Sequence, residues 1–127
     1  MAKQIVHSDE APKSLAGYSQ AVKAGGLIFV SGQGPFDPQS GQVIGTTIQE
    51  QTRQALLNCQ AILRAAGAEL SDAVLVHVLL TRPEDAPGVT EVFEEFWPDV
   101  RPPRCVSKIG VDRPELLVSV AMTAVIG

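Results

Sequence analysis

Arg104 is the residue whose type and setting most suggest chemistry. It follows Arg101-Pro102-Pro103 and opens the run Arg104-Cys105-Val106, which reads as the start of a strand. The two prolines fix an extended approach to it. A guanidinium is planar, always charged and presents a fork of donors that matches a carboxylate; a surface salt bridge is the plainer role for the same side chain. Cys105 could be a reactive thiol only if its pKa were lowered. Strand alternation turns it away from Arg104, to a side where buried packing is expected. A second cluster lies upstream. Tyr18, the single tyrosine, follows Gly17 at a strand start, where a ring can wall a pocket. Ser31 and Gly32 end the next strand, and there a hydroxyl and an amide can face a ligand or cap a turn.

Other motifs fail on spacing. Gly32-Gln33-Gly34 begins like a dinucleotide loop, but Asp37 stands where the third glycine should fall, and neither a phosphate loop nor a Gly-x-Ser-x-Gly elbow occurs. His7 and His77 lack ligand-spaced partners; His7 reads as surface, and His77, inside an apolar strand, as a core or interface residue. Cys59 and Cys105 form neither a disulfide framework nor a zinc pattern, so no metal or cofactor is expected.

The elements that must position these residues are legible from periodicity. Ser19–Lys23 and Leu27–Val30, joined by Ala24-Gly25-Gly26, read as a hairpin, with a loop from Gly32 through Gly41. A helix is expected from about Thr47 to Ala66, with Thr47 and Glu50 as a capping box, Gly67 as the stop, and a stripe of Ile48, Ala55, Leu56, Cys59, Ile62, Leu63 and Ala66. A strand over Ala73–Leu80, a second helix over about Ala86–Trp97, and strands over 104–109 and 116–126 complete an order β-β-β-α-β-α-β-β. The expected class is α/β (α+β), a mixed sheet of about six strands with two helices on one face. The runs at 73–80 and 116–126 are almost continuously apolar, as in strands covered on both faces. Two helices can cover one face, so a second copy of the chain is the expected cover for the other.

At 127 residues, 45% apolar and 19% charged, the chain fits one globular domain. Its net charge is −4, and the one local basic excess (Arg101, Arg104, Lys108, Arg113) is diluted by Asp99, Asp112 and Glu115, which speaks against nucleic acid as a partner. No signal-like N-terminus or membrane-length apolar run is present, and the cysteine usage fits a reducing compartment, so a cytoplasmic location is expected.

Four blocks resemble the RidA (YjgF) family of reactive-intermediate deaminases, also described as endoribonuclease L-PSP: Gly17-Tyr18-Ser19-Gln20-Ala21-Val22-Lys23, Ile28-Phe29-Val30-Ser31-Gly32-Gln33, Glu50-Gln51-Thr52-Arg53-Gln54-Ala55-Leu56-Leu57-Asn58 and Pro103-Arg104. The resemblance runs in order over essentially the whole chain. It implies a chorismate-mutase-like subunit, a homotrimer with ligand clefts between subunits, and hydrolysis of 2-aminoacrylate-type enamines and imines to 2-keto acids and ammonia. By the same resemblance Arg104 grips the substrate carboxylate and acts with Tyr18, while Ser31, Gly32, Thr90 and Cys105 line the site. Two departures stand out. Thr90 replaces an asparagine of typical deaminases, and Ala121 stands where their last strand carries a water-positioning glutamate, with Ser119 two residues earlier on the same face. The cysteine that some members carry two residues after the arginine is Val106. Glu115 and Glu91 are the possible substitutes. A non-catalytic module binding a small carboxylate is the main alternative function, and an endoribonuclease the next.

Overall fold

The computed structural model describes residues 2–14, 17–110 and 112–126. The strands are β1 (Gln4–Val6), β2 (Ala21–Ala24), β3 (Leu27–Gln33), β4 (Ala73–Leu80), β5 (Arg104–Lys108) and β6 (Val118–Val125), and the helices are α1 (Ile48–Ala65) and α2 (Ala86–Phe96). They form a six-stranded sheet in the order β1-β2-β3-β6-β4-β5. The pair β4–β5 is parallel and the others are antiparallel, so the sheet is mixed as expected.

Local chemistry explains the elements. Thr47 Oγ1 accepts from the Glu50 amide at 3.2 Å while the Glu50 carboxylate accepts from the Thr47 amide at 3.1 Å, closing the capping box of α1. Backbone amides of Thr46 and Thr47 hold the Glu50 carboxyl below its usual range. Gly67 follows the C-cap with φ of 85°, a conformation only glycine adopts cheaply. The predicted stripe of α1 is buried throughout, and Val89, Val92 and Phe93 of α2 are buried beside it. The helices approach closely at Gly88, where a Cβ would overlap the Ile48 side chain.

Alternation in the sheet divides its two faces. Ile28, Val30, Val76, Val78, Val118, Val120, Met122 and Ala124 are buried beneath the helices. The opposite face carries Leu27, Phe29, Leu75, His77, Leu79, Ser119, Ala121, Thr123 and Val125, and of these Leu27, Phe29, His77 and Val125 are exposed. Four core strands thus present an apolar back to the outside.

Three sequence expectations are corrected. The loop expected from Gly32 starts only after Gln33, because β3, which ends on Ser31-Gly32-Gln33, pairs along β6 as well as β2. His77 is exposed on the open face, so of the two places expected for it, core or interface, the core falls away. Cys105 is exposed too, where buried filler was expected: β5 is an edge strand, and alternation turns Cys105 to the face that the helices leave bare.

Buried amides on α1 tie distant loops to this frame. Gln51 Nε2 donates to the Gly45 and Glu115 carbonyls at 3.1 and 2.7 Å, and its Oε1 accepts from the Leu117 amide at 2.8 Å. Asn58 Nδ2 donates to the carbonyls of Gly34 and Phe36 at 3.1 and 2.9 Å. A Gln51→Leu variant would leave these buried backbone groups unpaired. It should lose about 3 kcal/mol, which thermal denaturation would record as a drop in Tm of roughly 10 °C.

Candidate functional site

The residues singled out in the sequence fall into two groups at opposite sides of the sheet. The first is built on β5 and α2. Arg104 opens β5 in register with Val76, which is buried, so its side chain lies on the helix-covered face. Its Nη2 donates to Thr90 Oγ1 at 2.9 Å, and its guanidinium carbon stands 5.5 Å from the centre of the Phe93 ring. Thr90 Oγ1 in turn donates to the Ala86 carbonyl at 3.3 Å, the back-bond typical of a mid-helix threonine. Arg104 is half-buried and forms no ion pair among the described residues. Thr90 spends its hydroxyl on orienting the guanidinium. Thr90→Val should keep the fold and weaken any ligand of Arg104 about fivefold, mainly in Kd or KM; an unchanged affinity would contradict this positioning role.

The second group gathers at the end of β3. Val30 pairs with Met122 and Gln33 with Val120, so Ser31 and Gly32 together oppose Ala121 alone. This is a β-bulge, a device that re-aims side chains where a ladder must open. Ser31 is anchored within it: its amide and its hydroxyl both donate to the Gln20 carbonyl, at 2.9 and 3.0 Å. Gln20 is buried and clasps the N-terminal segment, accepting from the Ser8 amide at 2.7 Å and donating to the carbonyls of Ser8 and Pro12. A Cβ on Gly32 would come within 3.0 Å of Ser119 Oγ, so Ser119 stands directly beside this glycine.

Two hollows open there. One, of about 390 Å³, is lined by Tyr18, Gly32, Gln33, Phe36 and Arg113 among others. The other, of about 320 Å³, is shallower and is lined by Ser19, Val22, Phe29 and Ser31 among others. Tyr18 is exposed at the mouth of the first.

The two groups do not meet within one subunit. β6 and β4 separate β3 from β5, three strand spacings or about 14 Å. They also use opposite faces, since Arg104 points to the helix side whereas Ser119 lies on the open side. Cys105 shares the open face with His77, its register partner, and so lies apart from Arg104's guanidinium.

Neither proposed acidic substitute is free. The Glu91 carboxylate accepts from Gln49 Nε2 at 3.2 Å, away from the strands. Glu115 is bound by Arg113 at 2.8 Å; its own backbone amide, and then Arg113, hold its carboxyl below the usual range. Three contributors escaped sequence reasoning. Ser119 was named only as a neighbour of Ala121, yet it is the residue that reaches Gly32. Gln20 and Asn58 act through backbone groups 8 to 24 positions away, a distance at which no local pattern signals them. Among the described residues no group of three or more His, Cys, Asp or Glu side chains could hold a metal ion, and no helix is long and apolar enough to cross a membrane.

Comparison with known proteins agrees with the fold and the motif blocks. Residues 8–126 match the family model described as Endoribonuclease L-PSP. A RutC family protein of Pyrococcus abyssi is 37% identical over 98% of both chains. The 3-aminoacrylate deaminase RutC of Acinetobacter baylyi is 33% identical, again over 98% of both. The 2-iminobutanoate/2-iminopropanoate deaminase of Dermatophagoides farinae is 32% identical over 86% of this chain and 84% of its own. Among solved structures, a Thermotoga maritima protein superposes with a TM-score of 0.91 at 37% identity, covering 98% of each chain. Escherichia coli TdcF with bound serine gives 0.89 at 28% identity, covering 98% of this chain and 99% of that one. With the family model matched over residues 8–126, and sequence and fold matched over nearly the full length of its relatives, this chain is a member of the RidA/YjgF/L-PSP (RutC) family.

Proposed function

We propose that this chain hydrolyses small 2-imino and 2-enamino acids to 2-keto acids and ammonia, in a cleft that Arg104 of one subunit closes against Tyr18, Ser31 and Gly32 of another. The observation that carries this reading is Arg104 itself. It is braced by Thr90 and Phe93, left without a carboxylate partner among the described residues, and half-exposed. A preorganised, unneutralised guanidinium suits a small acid. The sheet's apolar open face supplies a surface for self-association, which would bring one copy's β5 edge toward another copy's β3 bulge. Family members include named deaminases of imino and aminoacrylate acids, and TdcF, with its bound serine, holds a small amino acid.

The chemistry asks little of the protein. A tautomerised enamine presents a C=N bond; water adds to its carbon, and the tetrahedral carbinolamine expels ammonia to leave the ketone. Imines hydrolyse readily in water, so fixing the acid and one water molecule supplies useful acceleration through positioning alone. Ser119, whose Oγ stands 3.0 Å from where a Gly32 Cβ would lie, and Ser31, which neighbours Gly32 in the chain, are the hydroxyls we assign to holding that water.

Ammonia release from 2-aminoacrylate above the spontaneous rate tests the proposal, and a rate no higher than spontaneous would defeat it. Sedimentation velocity at micromolar concentration should show three copies of the 13.5 kDa chain moving together. A monomer would contradict the shared cleft.

One observation favours a second reading, a module that binds a small carboxylate without turnover. Among the described residues the large hollow is lined by no acidic side chain, and Glu91 and Glu115 are engaged elsewhere. Calorimetric binding of a 2-keto acid by a protein that releases no ammonia would select it. Ribonuclease activity is disfavoured by the net charge of −4 and the scattered basic residues.

A further inference from the structure

The hollow at Tyr18 and Gly32 is larger and more cationic than a three-carbon imino acid requires. Its volume of about 390 Å³ falls in the range of sites that hold ligands of drug size, roughly 300–1,000 Å³. In a chain of net charge −4, its lining includes two charged residues, Lys13 and Arg113, both basic. Arg113 is a built feature. Its guanidinium carbon lies 5.3 Å from the centre of the Phe36 ring, and Phe36 is itself fixed by the hydrogen bond from Asn58 to its carbonyl. Glu115 engages Nε at 2.9 Å and Nη2 at 2.8 Å without lining the hollow. Nη1 makes no hydrogen bond among the described residues.

Resting on the deaminase reading above, we propose that Arg113 is a specificity-determining residue that takes a second anionic group, so that the preferred substrates are 2-imino acids whose side chain ends in a carboxylate. The first carboxylate lies on Arg104 of the neighbouring subunit. The imine carbon sits near Gly32, and the side chain runs past Tyr18 and Phe36 to Arg113. Phe36 offers an apolar wall to the intervening methylenes, and the guanidinium plane above it offers a fork to the distal acid. Hydrolysis consumes one water and yields the 2-keto dicarboxylate and ammonia.

The test compares two imines generated in place by amino-acid oxidases: 2-iminoglutarate from glutamate and 2-iminobutanoate from 2-aminobutanoate. The wild type should hydrolyse 2-iminoglutarate with the higher kcat/KM. Arg113→Leu, which retains apolar cover over Phe36, should lower that value about tenfold and leave 2-iminobutanoate within about twofold; Arg113→Lys should fall between. Equal losses on both imines, or no loss on either, would overturn the assignment while leaving the deaminase reading intact. If the wild type hydrolyses neither imine, the deaminase reading fails separately. Calorimetry with 2-oxoglutarate and 2-oxobutanoate then decides the subsite: tighter, Arg113-dependent binding of the dicarboxylate supports it, and equal binding of both refutes it.

Discussion

Arg104→Ala is expected to reduce kcat/KM for 2-iminobutanoate by roughly 200-fold, the equivalent of about 3 kcal/mol of charge-assisted hydrogen bonding. The size of the effect follows from how the guanidinium is held. Thr90 and Phe93 fix its plane before any ligand arrives, so little side-chain freedom remains to be given up on binding. Arg104→Lys keeps the charge and gives up the planar fork, and should retain about a tenth of the wild-type value. Neither change should unfold the chain. The guanidinium meets Phe93 as a partly exposed cation–π pair, and such pairs contribute only about 1 kcal/mol to stability. Steady-state ammonia release, with melting temperatures measured alongside, separates the two effects. An Arg104→Ala variant of full activity would mean that the substrate carboxylate is held elsewhere.

The second large effect concerns the bare face of the sheet. Leu75 lies on that face in β4, paired with Thr123 of β6, and lines neither hollow. Leu75→Asp should place a charge on the surface proposed for self-association. Burying an unpaired carboxylate is expensive enough to prevent association, whereas in the monomer the side chain is only half-buried. The expected product is a folded monomer by sedimentation and circular dichroism. Its deaminase activity should be undetectable, although Arg104, Tyr18, Ser31 and Gly32 are unaltered. An active monomer would mean that one subunit completes a site alone.

The frame was legible in the sequence because its signals are local. The capping box at Thr47 and Glu50, the glycine stop at Gly67 and the apolar runs of β4 and β6 each declare themselves within a few residues. The apolar runs also implied an uncovered face, and the structure leaves one bare. What the sequence hid depends on distant pairing. The extension of β3 to Gln33 arises from its ladder with β6, some ninety residues later, and the bulge at Ser31 and Gly32 exists only in that register. The burial expected for Cys105 failed because alternation assigns a face but cannot say whether that face is covered. At the candidate site, resemblance supplied the residue types, but only the strand order reveals that Arg104 and Gly32 stand on strands separated by β6 and β4. Arg113 was hidden for another reason. Beside Asp112 and Glu115 it reads as a neutralised surface charge; the pairing with Glu115 is present, and only the folded loop also brings the guanidinium over Phe36 and into the hollow.

The division into halves is tested most directly by subunit complementation. Arg104→Ala and Tyr18→Ala chains, each inactive as a pure oligomer, are co-expressed in equal amounts and purified as mixed oligomers. In a cyclic assembly an intact Arg104 then faces an intact Tyr18 at about a quarter of the junctions, and ammonia release should recover to about that fraction of wild type. Activity that stays at the level of the pure variants would contradict a cleft shared between subunits.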